Sequence, residues 1–291
     1  MRLTDTAWRT PALTPELGEL VDRARERECE LRLRLQQNDA RQEYAVRSLI
    51  VGDALDVCDP PLDMQLPLEE LCERAIEARG PVDGGVSRKH LRERARLYLH
   101  LSRGSWQLCA PGDLLELWDI ATRREPVVRN VIDEARWRTA DDPVPFTGAR
   151  MAWLFGVQPL KPECATADPC DIGPLVESIV SFVRESDLPP ELVAFGVEFP
   201  LLFAHPFYDG NGHTSRLLIC DMLSKAGYSS ASLLALLDCL QKSRPEISRM
   251  LGRLRTIETS SSEELVALFL GELIAAQKIV ADLLDSSDLN V

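Results

Sequence analysis

The sequence predicts a mostly α-helical protein, a helical bundle with one short β or loop insertion. Three observations lead there. Leucines recur at helical spacing with charged residues outside them, the pattern of helices that bury one stripe. Capping residues stand where several of these stripes begin, and glycine follows one of them. A single long stretch, residues 136–173, is rich in Pro, Gly and Asp and breaks the helical period, which predicts a hairpin or an ordered excursion.

Taken in order, Thr14 before Pro15 reads as an N-cap with proline at the first helical position. From there "PELGELVDRARERECELRLRLQQNDARQEYAVRSLIVGDAL" is helix-rich. "LPLEELCERAIEARG" reads as a helix stopped by glycine, and "SRKHLRERARLYLHLSR" as one capped by Ser87. "PGDLLELWDIATRRE" is the next candidate. Beyond the irregular stretch come "GPLVESIVSFVRES", "PPELVAFGVEFPLLFAH", "NGHTSRLLICDMLSKAG" and "SASLLALLDCLQKS". A last long helix runs from Ser262 to about Leu284, and Pro200 should kink its helix or mark its last turn.

Composition bounds the function classes. Hydrophobic residues make up 45% of the 291 and charged residues 27%, ordinary for a globular protein able to bury a sizeable core. A formal net charge of −13 argues against nucleic acid as the main partner, because phosphate-backbone binding normally needs a basic surface. No apolar run approaches the roughly 18 residues that span a bilayer, so no membrane partner is expected. The expected compartment is the cytoplasm; a specialised secretion signal without an apolar core stays open. Eight cysteines, at 29, 58, 72, 109, 164, 170, 220 and 239, form no CxxC pair and read as free thiols.

The chemistry concentrates in "HPFYDGNGHTSR", residues 205–216, which holds two of the four histidines. An apolar helix delivers His205 to its end, and a new helix begins near Asn211. Between them DGNG forms a turn whose glycines allow unusual backbone angles. The first N–H groups of the new helix lack intrahelical partners and can face an anion. A phosphate chain docked there puts Asp209 within reach of magnesium, a hard cation that favours carboxylates and phosphate oxygens. Arg216, one turn into the helix, has the planar fork that clamps a phosphate. His205 is the candidate base, and Phe207 points inward to pin the loop.

This dodecamer resembles the signature of Fic-domain proteins, His-x-Phe-x-Asp/Glu-Gly-Asn-Gly-Arg-x-x-Arg. His205, Phe207, Asp209, Gly210, Asn211, Gly212 and Arg216 match it, and the resemblance extends loosely over residues 40–285. It implies a Fic fold, a helical bundle with a short β-hairpin flap before the motif helices. The domain plan it implies is an N-terminal helical region at 1–110, a Fic core at 111–260 with its flap at about 136–173, and a C-terminal helix at 261–291. The implied activity is that of a bacterial-type protein adenylyltransferase, moving AMP from Mg-ATP to a Ser, Thr or Tyr hydroxyl of a target protein. By position His205 is the general base and Asp209 the magnesium ligand. Gly210, Asn211 and Gly212 form the anion hole, and Arg216 holds the distal phosphate.

Two departures leave alternatives open. His213 replaces the signature's first arginine, and an imidazole is a weaker phosphate anchor than a guanidinium with five donors and a permanent charge. The expected consequence is lower ATP affinity, a different phosphate-containing donor, or a weakened pseudoenzyme that binds nucleotide or a protein partner. The second departure is regulatory. Many Fic proteins carry an inhibitory helix, Ser/Thr-x-x-x-Glu-Gly/Asn, whose glutamate pairs with the motif's last arginine. The nearest stretch, "AVRSLIVGD" within about 38–57, aligns Gly52 but places Val51 at the glutamate and Arg47 at the Ser/Thr. A degenerate inhibitory helix and an ordinary core helix both fit. If the alignment holds, inhibition is absent or comes from a separate partner.

Overall fold

A computed structural model describes residues 11–37, 39–52, 62–78, 88–104, 106–122, 136–139, 166–255 and 262–287. Twelve α-helices run through them: α1 (Pro15–Gln36), α2 (Asp39–Val51), α3 (Leu68–Glu77), α4 (Arg88–Arg103), α5 (Pro111–Thr122), α6 (Ile172–Glu185), α7 (Pro190–Gly196), α8 (Glu198–Ala204), α9 (Asn211–Lys225), α10 (Ser230–Lys242), α11 (Arg244–Arg255) and α12 (Ser262–Ser287). A 3-10 turn, Pro169–Asp171, leads into α6. No strand occurs among the described residues. The hairpin expected within 136–173 falls mostly on 140–165, outside the described residues, as do the Ser87 cap and the glycine stop at Gly80.

By contacts the chain groups into two compact units. The first comprises Met1–Val21, Gln107–Met222 and Leu240–Leu270; the second comprises Asp22–Trp106, Leu223–Cys239 and Gly271–Val291. Each segment of the sequential division at 1–110, 111–260 and 261–291 contributes to both units, because helices distant in sequence share each core.

The local rules act as expected at α1. The Thr14 hydroxyl accepts the Leu17 N–H at 3.3 Å, and the Thr14 carbonyl accepts that of Gly18. The helix-rich stretch after it is two helices, broken at Gln37. α2 ends where Gly52 takes φ +51, the left-handed conformation that glycine adopts without a Cβ penalty. Leu49, Ile50 and Val51 are buried in the second unit, which also packs α2, α3 and α4 together. Arg47 pairs with Glu43 and donates to the Met64 and Leu66 carbonyls at 3.0 and 2.6 Å, tying the chain after α2 back onto it. Within 45–52 Ala45 and Val46 are buried as well, and Gly52 is exposed.

At the start of α10 a tertiary cap joins a local one, in which the Ser229 hydroxyl accepts the Ser232 N–H at 3.3 Å. The buried Glu28 carboxylate accepts the Ser229 N–H and the Ser232 hydroxyl, both at 2.7 Å, and the Gln277 amide at 3.1 Å. In the first unit, α6 packs on α5 and α8, and Phe195 stacks on Phe269 with centroids 5.3 Å apart. Pro200 sits in the first turn of α8, not in a last turn. Without an N–H it cannot bond the Gly196 carbonyl, so the expected single helix bends between Gly196 and Glu198 into α7 and α8. Helix α11 goes beyond the elements read from sequence. Its start is legible in Ser243-Arg244-Pro245-Glu246, where the Ser243 carbonyl accepts the first helical N–H bonds.

Candidate functional site

The candidate site lies in the first unit, where α8 ends and α9 begins. His205 closes α8 in the left-handed region, φ 44 and ψ 55, with its N–H bonded to the Leu201 carbonyl at 3.0 Å. Among the described residues it is the only non-glycine with positive φ. The following Pro206 adds a restriction, since a residue before proline is driven toward extended angles. Such strain costs about 1–3 kcal/mol and persists only where the surroundings enforce it. Here the buried Arg138 does so. Its Nε donates to the His205 carbonyl at 3.1 Å, and its backbone N–H donates to the Pro206 carbonyl at 2.7 Å.

The loop after His205 is built around its aromatic residue. Phe207 is fully buried, stacked on Trp118 of α5 at 5.6 Å and packed against Trp137 at 5.4 Å. The Asn211 side chain brackets it, accepting the Phe207 N–H at 3.0 Å and donating to the Phe207 carbonyl at 2.8 Å. Asn211 thus acts as a loop staple with its side chain, and its backbone N–H stands in the first turn of α9. The Trp118 indole N–H donates to the Asp209 carbonyl at 2.7 Å, and the Asp209 carboxylate accepts the Gly210 N–H at 2.7 Å. One oxygen of that partly buried carboxylate fixes the turn.

The glycines have separate reasons. Gly210 holds φ +84, and an added Cβ would run into Thr122 Cγ2 and lie 3.0 Å from Trp118 Nε1. Gly212 has an ordinary helical backbone, but a Cβ there would come 3.3 Å from Arg216 Nη1. The Arg216 guanidinium is therefore folded back over the first turn of α9. The Thr214 N–H makes the first α9 bond, to Gly210 at 2.9 Å, so the N–H groups of Asn211, Gly212 and His213 precede the ladder. They and Arg216 gather positive potential at one helix end, a site suited to phosphate oxygens. His213 is 8% exposed, its Nδ1 3.5 Å from Arg216 Nη2. The residue in the variant position belongs to this cluster rather than to solvent.

No known protein-family model matches the sequence. The fold is similar to the crystal structure of a Fic family protein from Desulfovibrio desulfuricans G20, with TM-score 0.64 and 19% identity over 97% of this chain and 78% of that one. The chain adopts the Fic fold. A Fic domain containing signaling protein from Bacteroides thetaiotaomicron VPI-5482 aligns at TM-score 0.45 and 14% identity, covering 93% of this chain and 98% of that one. At 19% identity the likeness to the Desulfovibrio protein concerns the fold, and the chemistry has to be argued from the residues.

Within the Fic fold, His205, Asp209, Gly210, Asn211, Gly212, His213 and Arg216 line one loop and one helix start, with Phe207 as the inward anchor. Val51 and Gly52 belong to the other compact unit. Reading the sequence missed Trp118, Thr122 and Arg138, which hold the loop from outside it. Trp118 reads as one more apolar position of α5, and Arg138 as a charge in an irregular stretch. Nothing local distinguishes them, because their partners lie 91 and 67 residues away. Among the described residues no helix is long and apolar enough to cross a membrane, and no group of three or more His, Cys, Asp or Glu could hold a metal.

Proposed function

We propose that the protein is a nucleotidyltransferase that moves AMP from ATP to a hydroxyl of a target protein. The observation that supports this most is Arg216 folded over Gly212 at the N-terminal end of α9, where N–H groups and a guanidinium converge on one anion position. A triphosphate fits that electrostatics, and Arg216 takes its distal phosphate. The lone carboxylate of Asp209 suits magnesium, which keeps several waters and relies on phosphate oxygens for much of its coordination. Asp209 would hold the ion, which supplies charge neutralisation to the phosphates.

His205 supplies the proton chemistry. Its imidazole takes the proton of the target hydroxyl as the new O–P bond forms at the α-phosphorus. The bond between that phosphorus and the α,β-bridging oxygen breaks, and pyrophosphate leaves with the electron pair. Phosphoryl chemistry of this kind asks for positioning and charge stabilisation more than for covalent help. Arg138, Trp118 and Asn211 position the loop; the α9 N-terminus and Arg216 stabilise the charge.

His213 favours a second reading, a nucleotide-binding protein with little transfer, because the signature's first arginine is missing. Incubation with ATP labelled at the α- or the γ-phosphate, together with a cell lysate, decides between them. The expected result is α-label on protein, lost in His205→Ala by a factor of about 10²–10⁴ while ATP binding persists. Label from γ-phosphate alone indicates kinase chemistry instead. ATP binding without protein label supports the second reading.

A further inference from the structure

The geometry points to Arg138 as a positioning residue for His205, holding the histidine in its left-handed backbone conformation so that the imidazole faces the reacting hydroxyl. The inference rests on the transfer reaction proposed above, and its observations are independent of nucleotide. Arg138 is 4% exposed. Its Nη2 donates to the Ala167 carbonyl at 2.7 Å and to the Thr166 hydroxyl at 3.3 Å, while its Nε reaches the His205 carbonyl. The Ala167 N–H donates in turn to the Phe203 carbonyl at 3.0 Å, two residues before His205. One side chain thus ties residues 138 and 166–167 to the end of α8.

The chemistry explains why arginine is needed. Three oxygens at different places must be met at once by one rigid donor set, and a guanidinium presents five N–H donors in a fixed fork. A lysine ammonium keeps the charge but rotates freely and spans less width. The clamp also falls on the one strained non-glycine residue described. A left-handed residue before proline relaxes toward extended angles when its carbonyl is released. That relaxation rotates the Cα–Cβ direction of His205 and moves the ring, whereas Asp209, Gly210 and Arg216 are held by Trp118, Asn211 and the α9 backbone. Loss of Arg138 should therefore affect proton removal and spare phosphate binding.

The test compares wild type, Arg138→Lys and Arg138→Gln as the full chain, in α-labelled ATP transfer and in histidine ring NMR. With His90, His100, His205 and His213 as the four histidines, His205→Ala assigns the relevant signal. The expected result is a kcat lowered about 10–100-fold in Arg138→Gln and less in Arg138→Lys, with KM for ATP within about twofold. The His205 ring signals should shift while those of His90 and His100 stay. If Arg138→Gln does not fold, Arg138→Lys gives both readouts. Unchanged kcat with unmoved His205 signals overturns the inference, as does a parallel loss in kcat and ATP KM with all four histidines disturbed. If wild type transfers no AMP, the proposed reaction fails, and the NMR arm alone decides whether Arg138 sets the His205 ring.

Discussion

Gly210 meets two constraints that one methyl group violates together. Its φ of +84 strains any side chain, and a Cβ would collide with Thr122 Cγ2. Gly210→Ala is therefore expected to cost about 2–4 kcal/mol, from backbone strain and overpacking combined. Urea unfolding checks the stability, and α-label transfer should fall with it as the α9 N-terminus shifts. His213→Arg acts differently. A second guanidinium beside Arg216 repels it when no anion is present, and both charges turn favourable once a triphosphate lies between them. The expected outcome is a lower melting temperature without ATP and a larger ATP-induced rise than wild type shows, with several-fold tighter ATP binding by calorimetry. Equal affinity in the two proteins would mean that the triphosphate does not contact position 213.

Some element ends here are held both locally and from far along the chain. α10 begins at Ser230 with a local cap, the Ser229 hydroxyl accepting the Ser232 N–H, and a further one from the Glu28 carboxylate of α1. Glu28→Ala leaves the Ser229 N–H, the Ser232 hydroxyl and one Gln277 amide bond to find other partners in a buried setting. The expected loss is about 3 kcal/mol, above what a local N-cap deletion costs. Chemical denaturation followed by circular dichroism measures it, and a loss below about 1 kcal/mol would show that water or a neighbouring side chain takes over the cap. The same logic separates α7 from α8. Pro200 dictates a break, and the resulting turn of backbone leads Glu198 to Ser215, whose hydroxyl donates to the buried carboxylate. That contact braces α8 against α9 on either side of the loop.

At the scale of the whole molecule, burial sorts the six cysteines among the described residues into two chemical classes. Cys29, Cys109 and Cys170 are exposed thiols, whereas Cys72, Cys220 and Cys239 are buried. Burial pushes the Cys72 thiol up to about 12, with Glu73 adding to the shift and Arg47 opposing it. At pH 8 it therefore stays a thiol and a poor nucleophile. Native iodoacetamide labelling, read peptide by peptide in a mass spectrometer, should modify Cys29, Cys109 and Cys170 about 10²–10³-fold faster than Cys72. Labelling of Cys72 should accelerate in urea as the second unit opens. Comparable native rates would contradict the packing of α3.

What the sequence by itself determined was local. The helix class, the Thr14 cap, the start of α9 at Asn211 and the histidine, aspartate, glycines and arginine of one loop were all legible. Each depends on residues within about a turn of one another, where spacing and backbone preference act directly. The burial of Ala45, Val46, Leu49, Ile50 and Val51 was not, since their apolar pattern fits a core helix and a degenerate inhibitory helix alike. Nor were the contacts of Trp118 and Arg138 with the Asp209 and His205 carbonyls. An indole N–H and a guanidinium acquire their roles only when folding brings a strained histidine and a glycine turn against them. Tertiary packing decided those contacts, because a hydrogen bond across 67 or 91 residues leaves no period or spacing in the chain to read.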